Sequence, residues 1–369
     1  MIIPKHYICY RADAPLDLDG KLNKPFWKHA PWTDHFVDIE GDSKPRPRFQ
    51  TRVKMLWDDT YLYVGAELQE PHVWATLTEH DSVIFHDNDF EMFIDPDGDN
   101  HDYYELEINA LNTTWDLRLV KPYRDGGPAL NEWEIPGFRS AVHVDGTLND
   151  PRDMDKEWSL EMVLPWKALG EYANRPSPPN QGDQWRINFS RVEWDIEVNE
   201  KITEKKIDEK KIAEKKIAEK ITGKQVGSQT GGDKSSTQVK YKKVPDRLEH
   251  NWVWSPQGVI DMHRPEKWGY VQFSTKPPGT DHYMPDPAIP ARDLLMQVYY
   301  AQKEFHKAHG RWAASWDDLG LALPHDSALP TTPTFELTTS GYRATCICRL
   351  HDGSLQNWHV REDSRLWRE

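Results

Sequence analysis

Three glutamates, Glu91, Glu105 and Glu107, lie in two segments of residues 87–115 in which polar and apolar residues alternate. A period of two is typical of β-strands that have one apolar face and one polar face. Residues 95–100, which join the two segments, contain Pro, Gly and Asn and therefore favour a turn. The pattern predicts a β-hairpin with carboxylates on its polar face.

Carboxylates on one face of a sheet can do three kinds of work. They can form the polar floor of a sugar-binding site, where they accept hydrogen bonds from hydroxyl groups. They can act as the acid and base of a glycosidase, which needs two carboxylates about 5–10 Å apart. They can also form an exposed acidic face that pairs across the strands with arginines such as Arg186 or Arg191. The spacing alone leaves these three interpretations open.

The loop of the hairpin carries a second set of acidic residues. Asp95, Asp97 and Asp99 supply hard oxygen atoms at every second position, as calcium-binding loops do. An EF-hand loop would need Gly at the position of Asn100 and a bidentate Glu at the position of Leu106. Because the sequence differs at both positions, a structural calcium site and a tight acidic turn remain equally open.

Short alternating segments continue along the chain on both sides of the hairpin, and turns separate them. They cover residues 53–57, 62–68, 115–119, 158–164, 185–191, 252–255 and 270–273. Many short strands joined by turns predict a mainly β protein built as an antiparallel sandwich or barrel. These strands must position the carboxylates.

The chain divides into three regions by composition. We call residues 1–276 the module and residues 277–369 the extension. Within the module, residues 199–246 contain a K-K-I-A-E repeat, which predicts a charged, flexible insertion because it forms no apolar stripe. In the extension, an apolar helical face over residues 294–305, followed by strand patterns, predicts a small α+β unit.

The composition argues against several functional classes. The net charge of -14 disfavours nucleic-acid binding, which needs clustered Lys and Arg. Cys9, Cys346 and Cys348 indicate neither a disulfide framework nor a zinc site. No apolar run approaches the roughly 20 residues that span a membrane, and residues 1–5 show no signal-peptide core. The 17 Trp residues, against 11 Phe, favour a carbohydrate partner because Trp stacks on sugar rings.

A set of short motifs occurs in order along the module. They are LDGKL at 18–22, FW at 26–27, VKMLWDDTYLYV at 53–64, DFEMFID at 89–95, WS at 254–255 and PEKWG at 265–269. With these motifs the module resembles a family 9 carbohydrate-binding module of the kind appended to xylanases. The resemblance implies an antiparallel β-sandwich. The insertion and the extension lie outside it.

The resemblance also implies where a sugar would bind. Modules of this family clamp a terminal sugar between two tryptophans, with polar contacts from a Glu, an Arg and an Asn. By position, the first Trp falls at Phe85 and the Glu at Glu91, while Glu107 stands at the position of the Arg. The second Trp falls at Met262 and the Asn at Val259. One aromatic and one carboxylate are therefore retained.

We predict a non-catalytic protein that binds a polysaccharide or oligosaccharide of plant or algal type, such as xylan. The predicted binding site consists of Phe85, Glu91, Glu107, Asn109 and Trp115. Aromatic side chains would stack on the sugar, and Glu91 and Asn109 would form hydrogen bonds with its hydroxyl groups.

The resemblance implies further properties of this protein. Family modules carry structural calcium, so Asp95, Asp97 and Asp99 are predicted as its ligands. The resemblance also implies a bacterial protein with an extracellular or periplasmic location. No sequence feature indicates the oligomeric state.

Three alternatives remain open at this point. A glycan-active hydrolase or lyase would use Glu91, Glu105 and Glu107. A haem-binding sandwich subunit, of the kind found in bacterial dehydrogenases, would use Met262 as a ligand. A structural or assembly role would need no ligand.

Overall fold

The computed structural model describes residues 2–199, 240–322, 324 and 326–369. The K-K-I-A-E repeat, predicted to be a flexible insertion, therefore lies outside the described residues. None of the helices in the described part of the chain combines the length and apolar character needed to cross a bilayer.

The module consists mainly of strands. They are β1 (His6–Arg11), β2 (Val37–Asp38), β3 (Thr51–Trp57), β4 (Tyr61–Gln69), β5 (Asp89–Asp95), β6 (Tyr103–Asn109), β7 (Thr114–Leu119), β8 (Ala129–Leu130), β9 (Arg139–Asp145), β10 (Glu157–Pro165), β11 (Gln184–Glu193), β12 (Ile196–Asn199), β13 (Lys240–Lys243), β14 (His250–Val253) and β15 (Gly269–Ser274). One short helix, α1 (Trp166–Leu169), follows β10. Single 3₁₀ turns cover Pro25–His29, Gly41–Ser43, Ile84–His86, Tyr123–Asp125 and Pro265–Lys267.

One sheet of 13 strands curls so that its two halves face each other. Its strand order is β8, β7, β6, β5, β11, β15, β1, β3, β4, β10 and β9, while β14 pairs with both β11 and β2. Strand β1 joins the halves by pairing in parallel with β15 and β3. The neighbouring pairs β5–β6 and β5–β11 are antiparallel. The predicted antiparallel β-sandwich is confirmed.

The main core fills the space between the two halves. Met92 of β5 and Ile187 of β11 contribute from one half, and Met55 of β3 and Leu160 of β10 from the other. All four side chains are fully buried. The apolar positions of the alternating segments therefore point inward, as their period of two predicts.

The LDGKL and FW motifs surround a single buried carboxylate, that of Glu161 on β10. Its Oε2 accepts hydrogen bonds from the backbone N–H groups of Asp19 and Gly20 at 3.0 and 2.9 Å. Lys24 Nζ lies 3.0 Å from the same oxygen, and Trp27 Nε1 donates to Oε1 at 2.7 Å. This charge is buried and fully paired, so it anchors the N-terminal segment to the sheet.

Two motif glycines allow close packing. Gly20 has a φ of +81°, and a Cβ atom there would lie 2.6 Å from backbone atoms of Val142 and His143. A Cβ atom at Gly269 would lie 2.3 Å from the ring of Trp254. The motifs of the resemblance thus include residues that the packing of the sandwich requires.

The extension forms its own helix-on-sheet core. It contains α2 (Ile289–His309), α3 (Trp316–Leu319), β16 (Thr334–Leu337), β17 (Tyr342–Arg349), β18 (Leu355–Arg361) and β19 (Leu366–Arg368). Leu294 and Val298 of α2 share a buried cluster with Ala344 and Val360 of the sheet. Helix α2 ends at Gly310, whose φ of +68° suits a left-handed cap. The predicted small α+β unit is confirmed.

Charged and polar side chains join the extension to the module. Arg365 Nε lies 3.1 Å from Asp99 Oδ2, so the extension reaches the acidic loop of the hairpin. Asp125 accepts a hydrogen bond from Tyr299 at 2.7 Å and lies 2.9 Å from Lys303 Nζ. The acidic loop is therefore partly enclosed by residues of the extension.

Replacement of Glu161 by Gln should destabilise the protein strongly. Both oxygens of Glu161 accept hydrogen bonds. In Glu161→Gln the amide NH₂ group would face one of these N–H donors without an acceptor between them, and Lys24 would lose its counter-charge. We expect the free energy of unfolding to fall by about 3 kcal/mol in urea denaturation. Glu157→Gln on the same strand is the control, because the one ion pair of Glu157 within the described part of the chain is a surface pair with Lys156. A loss for Glu161→Gln no larger than that of the control would contradict this role.

Candidate functional site

Two rows of side chains cross β11, β5, β6 and β7 on the side of the sheet opposite to the main core. Directly paired residues of antiparallel strands point to the same side. The first row is Ser190, Glu91, Glu107 and Trp115, and the second is Asn188, Phe93, Glu105 and Leu117. Asp89 lies two residues before Glu91 and points the same way. We call Asp89, Glu91, Glu105 and Glu107 the acidic face.

The acidic face is buried, in contrast to the interpretation of an exposed, arginine-paired surface. Glu91 and Glu105 are each 6% exposed and Glu107 is 1% exposed. The proposed partner Arg191 instead lies on the other side of the sheet, where it pairs with Glu70 and Glu193 at 2.6 and 2.7 Å. That interpretation is corrected: the carboxylates are buried, and the other named arginine, Arg186, donates to the carbonyl oxygen of Trp268 at 2.7 Å.

Phe85 and Trp194 cover one end of the first row. The backbone N–H of Phe85 donates to Glu107 Oε2 at 2.9 Å. Trp194 Nε1 donates to the carbonyl oxygen of Phe85 at 2.9 Å, and Lys243 Nζ lies 3.4 Å from the centre of the Trp194 ring. Phe85 itself is half-buried. Trp115, also half-buried, is paired with Glu107 on β7, so two aromatic residues adjoin this carboxylate, Phe85 through its backbone and Trp115 as its cross-strand neighbour.

Residues before β15 cover the second row. Trp268 and Tyr103 are fully buried in a small cluster, and Met262 packs against it. His263 Nδ1 lies 3.0 Å from the hydroxyl oxygen of Tyr103. The ring of Tyr123 lies 4.5 Å from that of His263, and Tyr123 is 51% exposed. Met262, which the resemblance places at the second Trp position, is therefore a packing residue at the edge of the site.

Burial raises the pKa of every carboxyl group of the acidic face. The charge of Glu91 adds to this effect at the other three groups. The pKa of Glu91 rises to about 7, with burial as the main cause. Because low-dielectric surroundings and like charges both disfavour the ionised form, the face favours protons or a positively charged partner.

Asn109 has a structural role in the turn after β6. Its Nδ2 donates to the carbonyl oxygen of Leu77 at 2.9 Å and to Asp87 at 3.1 Å. Its Oδ1 accepts from the N–H groups of Leu111 and Thr113 at 3.0 and 3.1 Å. Both amide hydrogens and the amide oxygen are thus engaged within the turn, and the contact of Asn109 with a ligand stays a prediction.

The acidic loop brings its three predicted ligands together. One carboxylate oxygen from each of Asp95, Asp97 and Asp99 lies within 4.8 Å of the others. The N–H groups of Gly98 and Asn100 donate to the two oxygens of Asp95 at 2.9 and 3.0 Å, which curves the loop around it. Burial and the charge of Asp97 raise the pKa of Asp99 to about 7. An all-oxygen donor set with repelling charges fits a hard cation such as Ca²⁺.

Sequence reasoning missed three residues of this region. Asp89 shares the period of Glu91, so its position on the face could have been predicted. Ser190 belongs to a strand about 100 residues away, and its pairing with β5 has no local signal. Tyr123 lies in a short turn, where no period indicates the direction of its side chain.

The chain matches known proteins in three comparisons. Residues 18–216 match the family model described as carbohydrate family 9 binding domain-like. Over 100 residues the chain is 32% identical to endo-1,4-beta-xylanase C of Paenibacillus barcinonensis, a match that spans 27% of this chain and 8% of the xylanase. The chain thus covers a small part of that enzyme.

Two solved structures show low identity to the chain. One is a candidate carbohydrate-binding protein from Bacteroides uniformis, with 16% identity, a TM-score of 0.47, and coverage of 73% of this chain and 99% of that one. The other is a family 9 carbohydrate-binding module from Caldicellulosiruptor kristjanssonii in complex with cellotriose, with 13% identity, a TM-score of 0.40, and coverage of 76% and 100%. The family match spans more than half of the chain, and the protein therefore belongs to the carbohydrate family 9 binding domain-like family.

Proposed function

We propose that the protein binds a polysaccharide or oligosaccharide of plant or algal type at the acidic face, without cleaving it. Membership of the family supports carbohydrate binding. The similarity to a xylanase over part of the chain makes xylan and its fragments the first ligands to test.

The observation that carries this proposal is the position of two aromatic residues next to Glu107. Phe85 contacts Glu107 through its backbone N–H, and Trp115 lies directly opposite Glu107 on the next strand. Half-buried aromatic rings offer apolar faces to the C–H groups of a sugar ring, and neighbouring carboxylates accept hydrogen bonds from its hydroxyl groups. Glu91, in the same row, supplies a second carboxylate.

The exposed ring of Tyr123 extends this site on the side of the second row. Burial, and to a smaller extent the charges of Glu105 and Glu107, raises the pKa of Tyr123 to about 12, so the hydroxyl group of Tyr123 lies within electrostatic reach of the two glutamates. We include Tyr123 in the site as a third aromatic contact and leave Asn109 out. A sugar bound here would touch residues from β5, β6, β7 and the turn after β7.

We also propose that the acidic loop binds calcium as a structural ion. Asp95, Asp97 and Asp99 would supply one or more oxygens each, and backbone carbonyl groups or water would complete the six to eight ligands that Ca²⁺ takes. The pairing of Arg365 with Asp99 would link this ion to the extension. The ion would relieve the repulsion between the three carboxylates.

Truncation of the aromatic or acidic contacts should weaken glycan binding. For the best ligand from a glycan array, we expect Phe85→Ala and Glu91→Ala to raise the Kd measured by calorimetry about tenfold or more. Trp32→Ala is the matched control, because Trp32 stacks on Arg52 of β3 in the other half of the sheet. Equal affinity of Phe85→Ala and Glu91→Ala with the unmodified protein would refute the site. Release of new reducing ends from the glycan would instead support an enzyme.

Removal of calcium should lower the thermal stability of the protein. After treatment with a chelator, we expect added Ca²⁺ to raise the Tm by about 5 °C, because the ion binds the folded state. Asp97→Asn should reduce this rise, and Asp13→Asn, at an exposed position near the N-terminus, should not change it. An unchanged calcium response in Asp97→Asn would rule out the acidic loop as the site.

A further inference from the structure

The acidic face holds buried charge that no ion pair among the described residues compensates, although Lys243, which lies over the ring of Trp194, acts on Asp89 through its charge. Glu70 and Glu193 are buried too, but Arg191 pairs with both. By contrast, no Lys, Arg or His in the described parts of the chain forms an ion pair with Asp89, Glu91, Glu105 or Glu107. Buried carboxylates without a cationic partner are strongly unfavourable, because they lose the solvation of water and repel one another.

Hydrogen bonds satisfy little of this charge. Asp89 accepts one hydrogen bond, from the N–H of Val192 at 3.2 Å, and Glu107 accepts one, from the N–H of Phe85 at 2.9 Å. Among the described residues, no hydrogen bond of normal geometry reaches Glu91 or Glu105, although the Ser190 hydroxyl group lies close enough to Glu91 to oppose the rise in the pKa of Glu91. The face therefore has several oxygen atoms available to a ligand that carries positive charge.

Three of these carboxylates lie close together. One oxygen from each of Asp89, Glu91 and Glu107 lies within 4.8 Å of the other two. Oxygen atoms at such separations can share a single hard cation, which binds oxygen at about 2.0–2.6 Å. The donor set contains neither nitrogen nor sulfur, which favours Ca²⁺ or Mg²⁺ over Zn²⁺.

Two buried polar atoms at the same place are without a partner among the described residues. Ser190 Oγ belongs to a residue that is 1% exposed and forms no hydrogen bond of normal geometry, and Ser190 lies directly opposite Glu91 on β11, near enough to act on the carboxyl group of Glu91. Asp89 Oδ2 belongs to a fully buried residue. Buried polar atoms normally have a partner, so a hydroxyl and a carboxylate oxygen left unsatisfied beside the cluster indicate a missing ligand.

We propose that Asp89, Glu91 and Glu107, together with the hydroxyl group of Ser190, bind a divalent cation at the centre of the acidic face. We further infer that glycan binding at this face requires the cation, a step that rests on the proposed function. The cation would supply the positive charge that the protein side chains do not, and its remaining coordination positions would face the sugar hydroxyl groups.

The burial of the cluster favours a small ion over the amino group of a sugar. Asp89 and Glu107 are 0% and 1% exposed, and the backbone N–H of Phe85 contacts Glu107 Oε2 at 2.9 Å. A sugar ring that carries an amine would have to displace this contact to reach Asp89. An ion can reach all three carboxylates without such a change.

This site and the acidic loop lie at opposite ends of one strand. Asp89 begins β5 and Asp95 ends it. Six residues of extended chain span about 20 Å, so the two sites are too far apart to share an ion. Substitutions can therefore separate them, and each site serves as the control for the other.

The test is a calorimetric titration of the chelator-treated chain of 369 residues with Ca²⁺ and with Mg²⁺, without any glycan. We expect a binding event that survives in Asp97→Asn and weakens by about tenfold or more in Glu107→Gln and Glu91→Gln. Ser190→Ala, which removes only a hydroxyl group, should weaken the same event and remains available if a Glu→Gln variant does not fold. If Asp97→Asn removes all cation binding, the acidic loop is the one cation site that the titration detects, and the proposal is overturned.

A second measurement separates loss of the site from loss of the fold. In chelator, Glu91→Gln should raise the Tm because it removes one of the repelling charges, and it should reduce the rise in Tm on addition of cation. A lower Tm in chelator together with an undiminished response to cation would show that the charge is compensated within the protein, against the proposal.

The glycan experiments distinguish the two parts of the inference. Glycan binding that disappears in chelator and returns with Ca²⁺ or Mg²⁺ would support the cation-dependent site. Equal glycan affinity in chelator and in cation would overturn that part. Cation binding at this cluster without binding of any glycan on a broad array would refute the proposed function and leave the cation site intact. If glucosamine binds in the presence of chelator and Glu107→Gln abolishes this binding, the occupant of the cluster is the amino group of a sugar. That result would overturn the proposed cation site.

Discussion

The pleat of β5 is the constraint on which the site depends. Strand β5 pairs with β6 on one side and β11 on the other, so its backbone groups are used and its direction is fixed. Alternate residues then point into the sandwich core or onto the opposite side of the sheet. Phe90, Met92 and Ile94 fill the core, and the same geometry places Asp89 and Glu91 under the loops that cover the other side.

The motifs that identify the family mainly stabilise the sandwich. The N-terminal motif surrounds Glu161, and Gly269 makes room for the ring of Trp254. These interactions would be needed whatever ligand the protein binds. Membership of the family therefore indicates the fold and carbohydrate binding in general. The ligand itself has to be inferred from the side chains that differ between members, and here we propose those of the acidic face.

The two acidic clusters of β5 differ in how their charge is balanced. At the acidic loop, backbone N–H groups donate to Asp95, and Arg365 of the extension pairs with Asp99. At the acidic face, one backbone N–H group donates to Asp89 and one to Glu107, and no described cation forms an ion pair with the carboxylates. The extension thus takes part in the environment of the loop, while the carboxylates of the face lie within the module.

The sequence by itself determined the strands, the sandwich class and the shared direction of Glu91, Glu105 and Glu107. These follow from the period of two and from short motifs, which are local properties of the chain. Only the tertiary structure decided that these carboxylates are buried, that Asn109 is used within a turn and that Ser190 lies opposite Glu91. Burial and cross-strand neighbours depend on contacts between segments as much as 100 residues apart, and such contacts have no signature in local residue spacing.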